Sequence, residues 1–233
     1  MKAMILAAGR GQRMMPLTEN KPKPLLSIAG KPLLQHHIEK LRRAGIVDLV
    51  INHCYLGEQI EAYFGDGREF GVHIQWSPEP IALETAGGLK QALAYLGEQP
   101  FISVNGDIWT EFDFASLRQG PFLEALEQNR RHAHLVLVDN PRQNPGGDFG
   151  LQQHKVVNQA LSMWTYSGIA LYHPKLIAKC PLGQPMGLAP ILRRAIDSKL
   201  VSGEIYHGPW HDIGTPKRLA ELEQQLSPTN NNP

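Results

Sequence analysis

The chain has 233 residues, of which 42% are hydrophobic and 19% charged, with a net charge of +1. Those proportions describe an ordinary globular chain, long enough to bury a proper core. They argue against a broadly basic nucleic-acid binder and against an acidic disordered segment.

Cys54 and Cys180 stand far apart, in neither Cys-x-x-Cys nor His/Cys metal spacing. Two reduced thiols are expected. The opening apolar run ends within about seven residues, too short for a secretion signal. No stretch reaches membrane-span length. The expectation is a cytoplasmic protein with no membrane and no nucleic-acid partner.

In chain order, "KAMILAA" is a continuous apolar run, the pattern of a strand buried on both faces of a parallel sheet. "GKPLLQHHIEKLRRAG" carries Leu33, Leu34, Ile38 and Leu41 at helical spacing, with Pro32 in the first turn and Gly45 at the C-terminal cap. Then "DLVIN" predicts a strand, "YLGEQIEAYFG" a helix, "VHIQWS" a strand, "TAGGLKQALAYLG" a helix and "PFISVNGDI" a strand. This alternation over residues 1–107 predicts an α/β fold with a doubly wound, mostly parallel sheet.

The order changes afterwards. "DFASLRQGPFLEALEQNRRH" is helical with a break at Gly120-Pro121, and "HLVLVD" is a strand. "LQQHKVVN" and "TYSGIALYH" predict two strands, an antiparallel pair. "MGLAPILRRAIDSKL" is an amphipathic helix, "EIYHGPWHDIGT" a strand running into a turn, and "PKRLAELEQQL" the last helix. No repeat or composition break marks a second domain. One domain over 1–226 is expected, with halves at 1–110 and 111–226, and a disordered polar tail over 227–233.

A glycine-rich turn directly after a first strand is a place to hold phosphate. "GRGQRM" nearly reads Gly-x-Gly-x-x-Gly, but Met14 takes the third glycine's place. The dinucleotide fingerprint also wants an acidic residue closing the second strand. Here that strand ends "VINHC", and the carboxylates after the turn are Glu19 and Glu39. No Gly-x-x-x-x-Gly-Lys-Ser/Thr occurs either. What remains is a backbone-amide cradle over Ala8, Gly9, Gly11 and Gln12, where glycines let N–H groups approach phosphate oxygens. Arg13 adds a planar fork of donors. Lys23 is flanked by Pro22 and Pro24, which fix the backbone and pre-aim its side chain.

"GRGQRMMPLT", "KPKPL" and "IAGKPLL" together resemble the signature of the sugar-1-phosphate nucleotidylyltransferases, and the resemblance runs over roughly residues 1–225. Gln12 departs from the family's frequent Thr or Ser, and its backbone N–H still serves. Asp107 in "FISVNGDIW" ends a buried strand, where open α/β sheets bind ligands. Family members carry Gly-Asp there and Trp-x-Asp-(Ile/Val)-Gly-Thr near Asp212. The resemblance implies that Asp107 and Asp212 share one Mg²⁺.

It further implies an in-line displacement. A sugar-1-phosphate oxygen attacks the α-phosphorus of a nucleoside triphosphate, and pyrophosphate leaves. Arg13 is expected on the β- and γ-phosphates, and Lys23 on the sugar phosphate and α-phosphate. A non-catalytic relative would lack one of Arg13, Lys23, Asp107 or Asp212; all four are present. "SPEPIALETAGG" is expected over the base, with Glu79 accepting a base N–H and Thr85, Ala86 and Gly87 offering backbone N–H groups at a helix start. The sugar is expected against a small antiparallel annex in the second half, with Asn105, two residues before Asp107, and Asp148 and Asn158 as its contacts.

Within the family, "NGDIWTEFDF", "GDFGL", "YSGIALYHP" and "VSGEIYHGPWHDIGT" are most similar to the compact branch that uridylylates N-acetylmuramate α-1-phosphate in cell-wall recycling. The mannose-1-phosphate guanylyltransferases and the glucose-1-phosphate uridylyl- and thymidylyltransferases stand as alternatives. The partners implied are the two small substrates, and the compact chain is expected to be monomeric.

Overall fold

The structure, a computed structural model, describes residues 1–227. The expected disordered tail lies, from residue 228 on, outside the described residues. The first apolar run forms β1 (Lys2–Leu6). Its Met4 and Ile5 are fully buried in two different cores, one on each face of the sheet. Successive side chains point to opposite faces, so a strand covered on both sides has no polar positions.

The signature loop follows, then a minimal hairpin of β2 (Ser27–Ile28) and β3 (Lys31–Pro32). Helix α1 (Leu33–Arg43) starts after Pro32. It stops where Gly45 turns left-handed at φ 72°, letting the Ile46 N–H reach the Leu41 carbonyl at 2.9 Å. Next come β4 (Asp48–His53), α2 (Gly57–Phe64), β5 (His73–Pro78), α3 (Glu84–Leu96) and β6 (Phe101–Asn105). These strands lie in the order β5-β4-β1-β6, all parallel. The chain winds outward from β1 to β5 and then returns to the other side of β1. That reversal makes a switch point at the carboxyl ends of β1 and β6, the place where such sheets bind ligands.

The second half adds β7 (Ile108–Thr110), α4 (Pro121–Glu127), β8 (Ala133–Val138), β9 (Phe149–Gln152), β10 (Lys155–Val157) and β11 (Met163–Tyr172). It closes with α5 (Ala189–Asp197), β12 (Val201–Tyr206), β13 (Trp210–Asp212) and α6 (Pro216–Leu226). The main sheet continues as β6-β11-β8-β12-β10-β9, nine strands in all. Antiparallel pairing is not confined to an edge annex: β11 runs antiparallel between β6 and β8 and carries it into the centre. "LQQHKVVN", expected as one strand, folds back on itself. Gln153 and His154, at φ 47° and 62°, form the two-residue turn between β9 and β10. The expected break at Gly120-Pro121 is present, with α4 starting at Pro121.

A third core of Met14, Leu26, Ile28, Trp109, Ile213 and Leu222 sits beneath the signature loop. It binds that loop, near the start of the chain, to β7 in the middle and α6 near the end. Both cysteines are free. Among the described residues, no helix is long and apolar enough to cross a membrane.

Candidate active site

The cradle is built from the inside outward. Met14 is fully buried and anchors a short 3-10 turn, Gln12–Met14, leaving Arg13 exposed beside it. Gly11 is left-handed at φ 68°, and the Thr18 hydroxyl donates to its carbonyl at 2.8 Å. A Cβ on Gly11 would lie 3.2 Å from both Lys23 Cβ and Thr18 Cγ2, so the glycine gives the lysine stem room to pass. At the loop's start, the Ala7 N–H donates to Asn52 Oδ1 at 2.8 Å.

Lys23, 7% exposed, reaches from this loop to Asp107 Oδ2 at 2.8 Å. Asp107 is brought there by Gly106, whose N–H donates to the Leu6 carbonyl at 2.8 Å. A Cβ on Gly106 would stand only 2.8 Å from that same oxygen, so β6 can close on β1 only with glycine there. Strand β7 pairs antiparallel with β13, setting Asp212 opposite Ile108, and the Ile213 N–H donates to the Asp107 carbonyl at 2.9 Å. Asp107, in the turn that leads into β7, is therefore held next to the end of β13, where Asp212 lies. Asp212 accepts from the Arg218 guanidinium at the start of α6.

Ala8–Arg13, Lys23, Glu79, Thr85, Asn105 and Asp107 line one hollow of about 600 Å³. A second hollow of about 270 Å³ shares Arg13, Asn105 and Asp107 with it and adds Asn144, Trp210 and Asp212.

Glu79, 5% exposed, accepts from Asn52 Nδ2 at 2.6 Å and from the Leu83 N–H at 2.8 Å. Burial pushes its carboxyl above the usual range. Thr85 is on the hollow, but Ala86 and Gly87 are not. Their N–H groups, expected to be open, donate to the Met186 carbonyl at 2.9 and 3.2 Å. A Cβ on Gly87 would lie 2.5 Å from the Gln184 carbonyl, so this glycine serves the approach of the 181–187 loop.

On the sugar side the structure separates the three candidates. Asn105 lines both hollows. Asp148 lines neither: its carboxylate accepts from the Tyr166 N–H at 2.8 Å and from Asn144 Nδ2 at 3.1 Å, bracing the loop that does. Asn158 is not brought to the site. Its amide donates to Asp197 Oδ1 at 2.7 Å and to the Arg193 carbonyl at 3.1 Å, fastening the end of β10 to α5. Sequence reasoning missed Asn52 and Arg218. Asn52 had a readable signal, a polar side chain closing an apolar strand at the ligand edge of the sheet.

This fold and site define an α/β protein that gathers a glycine-rich loop, cations and carboxylates around one hollow at the carboxyl edge of its sheet. Residues 2–228 match the Nucleotidyl transferase family, and the chain belongs to it. It is 48% identical over 227 residues to the N-acetylmuramate alpha-1-phosphate uridylyltransferase of Neisseria meningitidis serogroup B, covering 96% of this chain and 97% of that one. It is 32% identical over 237 residues to the Caulobacter vibrioides protein of the same name, covering 97% and 96%. A Bacillus anthracis structure described as a glucose-1-phosphate thymidylyltransferase, in complex with sucrose, superposes with a TM-score of 0.83. At 22% identity, covering 100% of this chain and 97% of that one, it shows the shared fold.

Proposed function

We propose that this nucleotidyltransferase moves the uridylyl group of UTP onto N-acetylmuramate α-1-phosphate, releasing pyrophosphate. The observation that carries this is the 48% identity, spanning nearly all of both chains, with the Neisseria uridylyltransferase. The reaction belongs to peptidoglycan recycling and takes place in the cytoplasm.

In the proposed reaction an oxygen of the sugar phosphate forms a bond to the α-phosphorus, and the bond from that phosphorus to the bridging oxygen breaks. The nucleophile is already an anion, so no side chain has to remove a proton. The amides of Ala8–Gln12 and the Arg13 fork hold the departing phosphates. Lys23 neutralises the charge between the two reactants. Positioning and charge neutralisation are the main demands of phosphoryl-type transfer.

Asp107 and Asp212 would hold Mg²⁺. That ion takes one or two carboxylates and fills its other positions with phosphate oxygens and water. Two partly exposed carboxylates, one in the turn before β7 and one at the end of its partner strand β13, with side chains 43% and 27% exposed, are a donor set of that kind. When bound, Mg²⁺ supplies charge neutralisation at the α- and β-phosphate oxygens.

The test is a pyrophosphate-release panel, with and without EDTA. It crosses UTP, dTTP, GTP and CTP with N-acetylmuramate-, N-acetylglucosamine-, glucose- and mannose-1-phosphate. Turnover is expected with UTP and N-acetylmuramate α-1-phosphate, and none after chelation. Turnover confined to GTP with mannose-1-phosphate would replace the assignment.

A further inference from the structure

Arg10 stands between the two cradle glycines, Gly9 and Gly11, and lines the same hollow as Arg13 and Lys23. Its guanidinium carbon lies 5.3 Å from the centroid of the Tyr55 ring, within cation–π range. The Tyr55 hydroxyl donates to the Glu19 carbonyl at 2.6 Å, which ties the ring to the far end of the signature loop. Tyr55 follows β4 at the carboxyl edge of the sheet, three residues beyond Asn52, which also lines the hollow. A ring face positions a guanidinium without consuming any of its N–H donors.

The hollow has work for those donors. Of the cations lining it, Lys23 is already held by Asp107. That leaves Arg10 and Arg13 as the lining guanidiniums with no carboxylate partner among the described residues. Lys23 and Asp107 mark the reacting α-phosphate in the proposed reaction. Arg10 belongs instead to the amide segment assigned to the departing phosphates. The base end is furnished separately, by Asn52 and Glu79.

We propose that Arg10 is a second phosphate-binding arginine, which grips the terminal phosphates of the nucleoside triphosphate from the Tyr55 ring face. The inference rests on the nucleotidyl-transfer reading given above. It adds a contact that the substrate makes through its triphosphate and loses as a monophosphate.

Titration calorimetry of UMP, UDP and UTP against the whole protein, with Mg²⁺ and no sugar phosphate, tests this without turnover. Arg10→Ala is expected to weaken UTP about ten-fold and to leave UMP within about two-fold. Arg10→Lys is expected in between, because an ammonium lacks the planar fork. Tyr55→Phe keeps the ring and most of the UTP affinity, whereas Tyr55→Leu loses part of it. Unchanged melting temperatures will show that the exposed-loop variants fold. Equal losses for UMP and UTP in Arg10→Ala, or no loss for UTP, would overturn the proposal while leaving the enzyme's assignment standing. A wild-type protein that bound no uridine nucleotide would overturn both.

Discussion

The Lys23 ammonium lies 2.8 Å from Asp107 Oδ2, joining residues 84 positions apart in the lining of the hollow. The lysine side chain is 8% exposed and the aspartate 43%, so a sheltered cation faces a carboxylate still open to ligands. Asp107→Asn is expected to keep the fold and cut turnover by about three orders of magnitude or more. Lys23→Ala should cost roughly 10³-fold, on the scale of other phosphate-stabilising cations. Pyrophosphate release reports the loss, and circular dichroism reports the fold. Turnover near wild type for Asp107→Asn in Mg²⁺ would sink the assignment of that carboxylate.

Gly88 packs against Glu79 and Asn52, which the proposed function places at the base end of the hollow. A Cβ there would sit 2.6 Å from Glu79 Oε1 and 2.7 Å from Asn52 Nδ2. Asn52 also holds the Ala7 N–H at the start of the cradle, so both ends of the proposed nucleotide site would be disturbed. Gly88→Ala is expected to lower stability by about 1–3 kcal/mol, as overpacking does, and to raise KM for UTP several-fold. Urea unfolding and steady-state kinetics measure the two effects. If neither moves, Asn52 and Glu79 have no part in nucleotide binding.

The first half of the fold was legible because β1 and β4 carry continuous apolar runs, β5 alternates apolar and polar residues, and each helix is followed by a glycine (Gly45, Gly65 and Gly97). Lys23 was legible because its flanking prolines fix the backbone locally. Other features depend on distant chain and left no local mark. Gln153 and His154 make a left-handed turn without the glycine or asparagine that usually announces one. The Met186 carbonyl occupies the start of α3 from nearly a hundred residues away, so the amides of Ala86 and Gly87 read as open in sequence and are closed in space. Asn158 fits a sugar contact by residue type alone, and its partners on α5 become visible only in three dimensions.

Asp148 and Asn158 should therefore part company in kinetics. Asp148 braces Tyr166 and Asn144, and Asn144 lines the second hollow. Asp148→Ala is expected to raise KM for the sugar phosphate several-fold while KM for UTP stays put. Asn158→Ala should leave both KM values within about two-fold and cost about 1 kcal/mol of stability through its lost hydrogen bonds. A sugar-phosphate KM that rose as far in Asn158→Ala would return that residue to the site.

His37 gives the fold a pH dependence where α1 packs on β7. It is 1% exposed on α1, and its Nε2–H donates to the Ile108 carbonyl of β7 at 2.8 Å. Burial lowers its pKa from 6.5 to about 4, with the Ile108 bond opposing that shift in part. Between those two values the unfolded chain takes up a proton that the folded chain refuses. His37 therefore costs no stability above pH 6.5, and stability falls progressively as pH drops toward about 4. The difference amounts to about 3 kcal/mol at the acid end of that window. His37→Gln can keep a donor to Ile108 and cannot titrate, so its stability should fall less over the same range. Urea unfolding of both proteins at pH 7.5, 6, 5 and 4 makes the comparison. Parallel stability curves for wild type and His37→Gln would show that this histidine carries no such linkage.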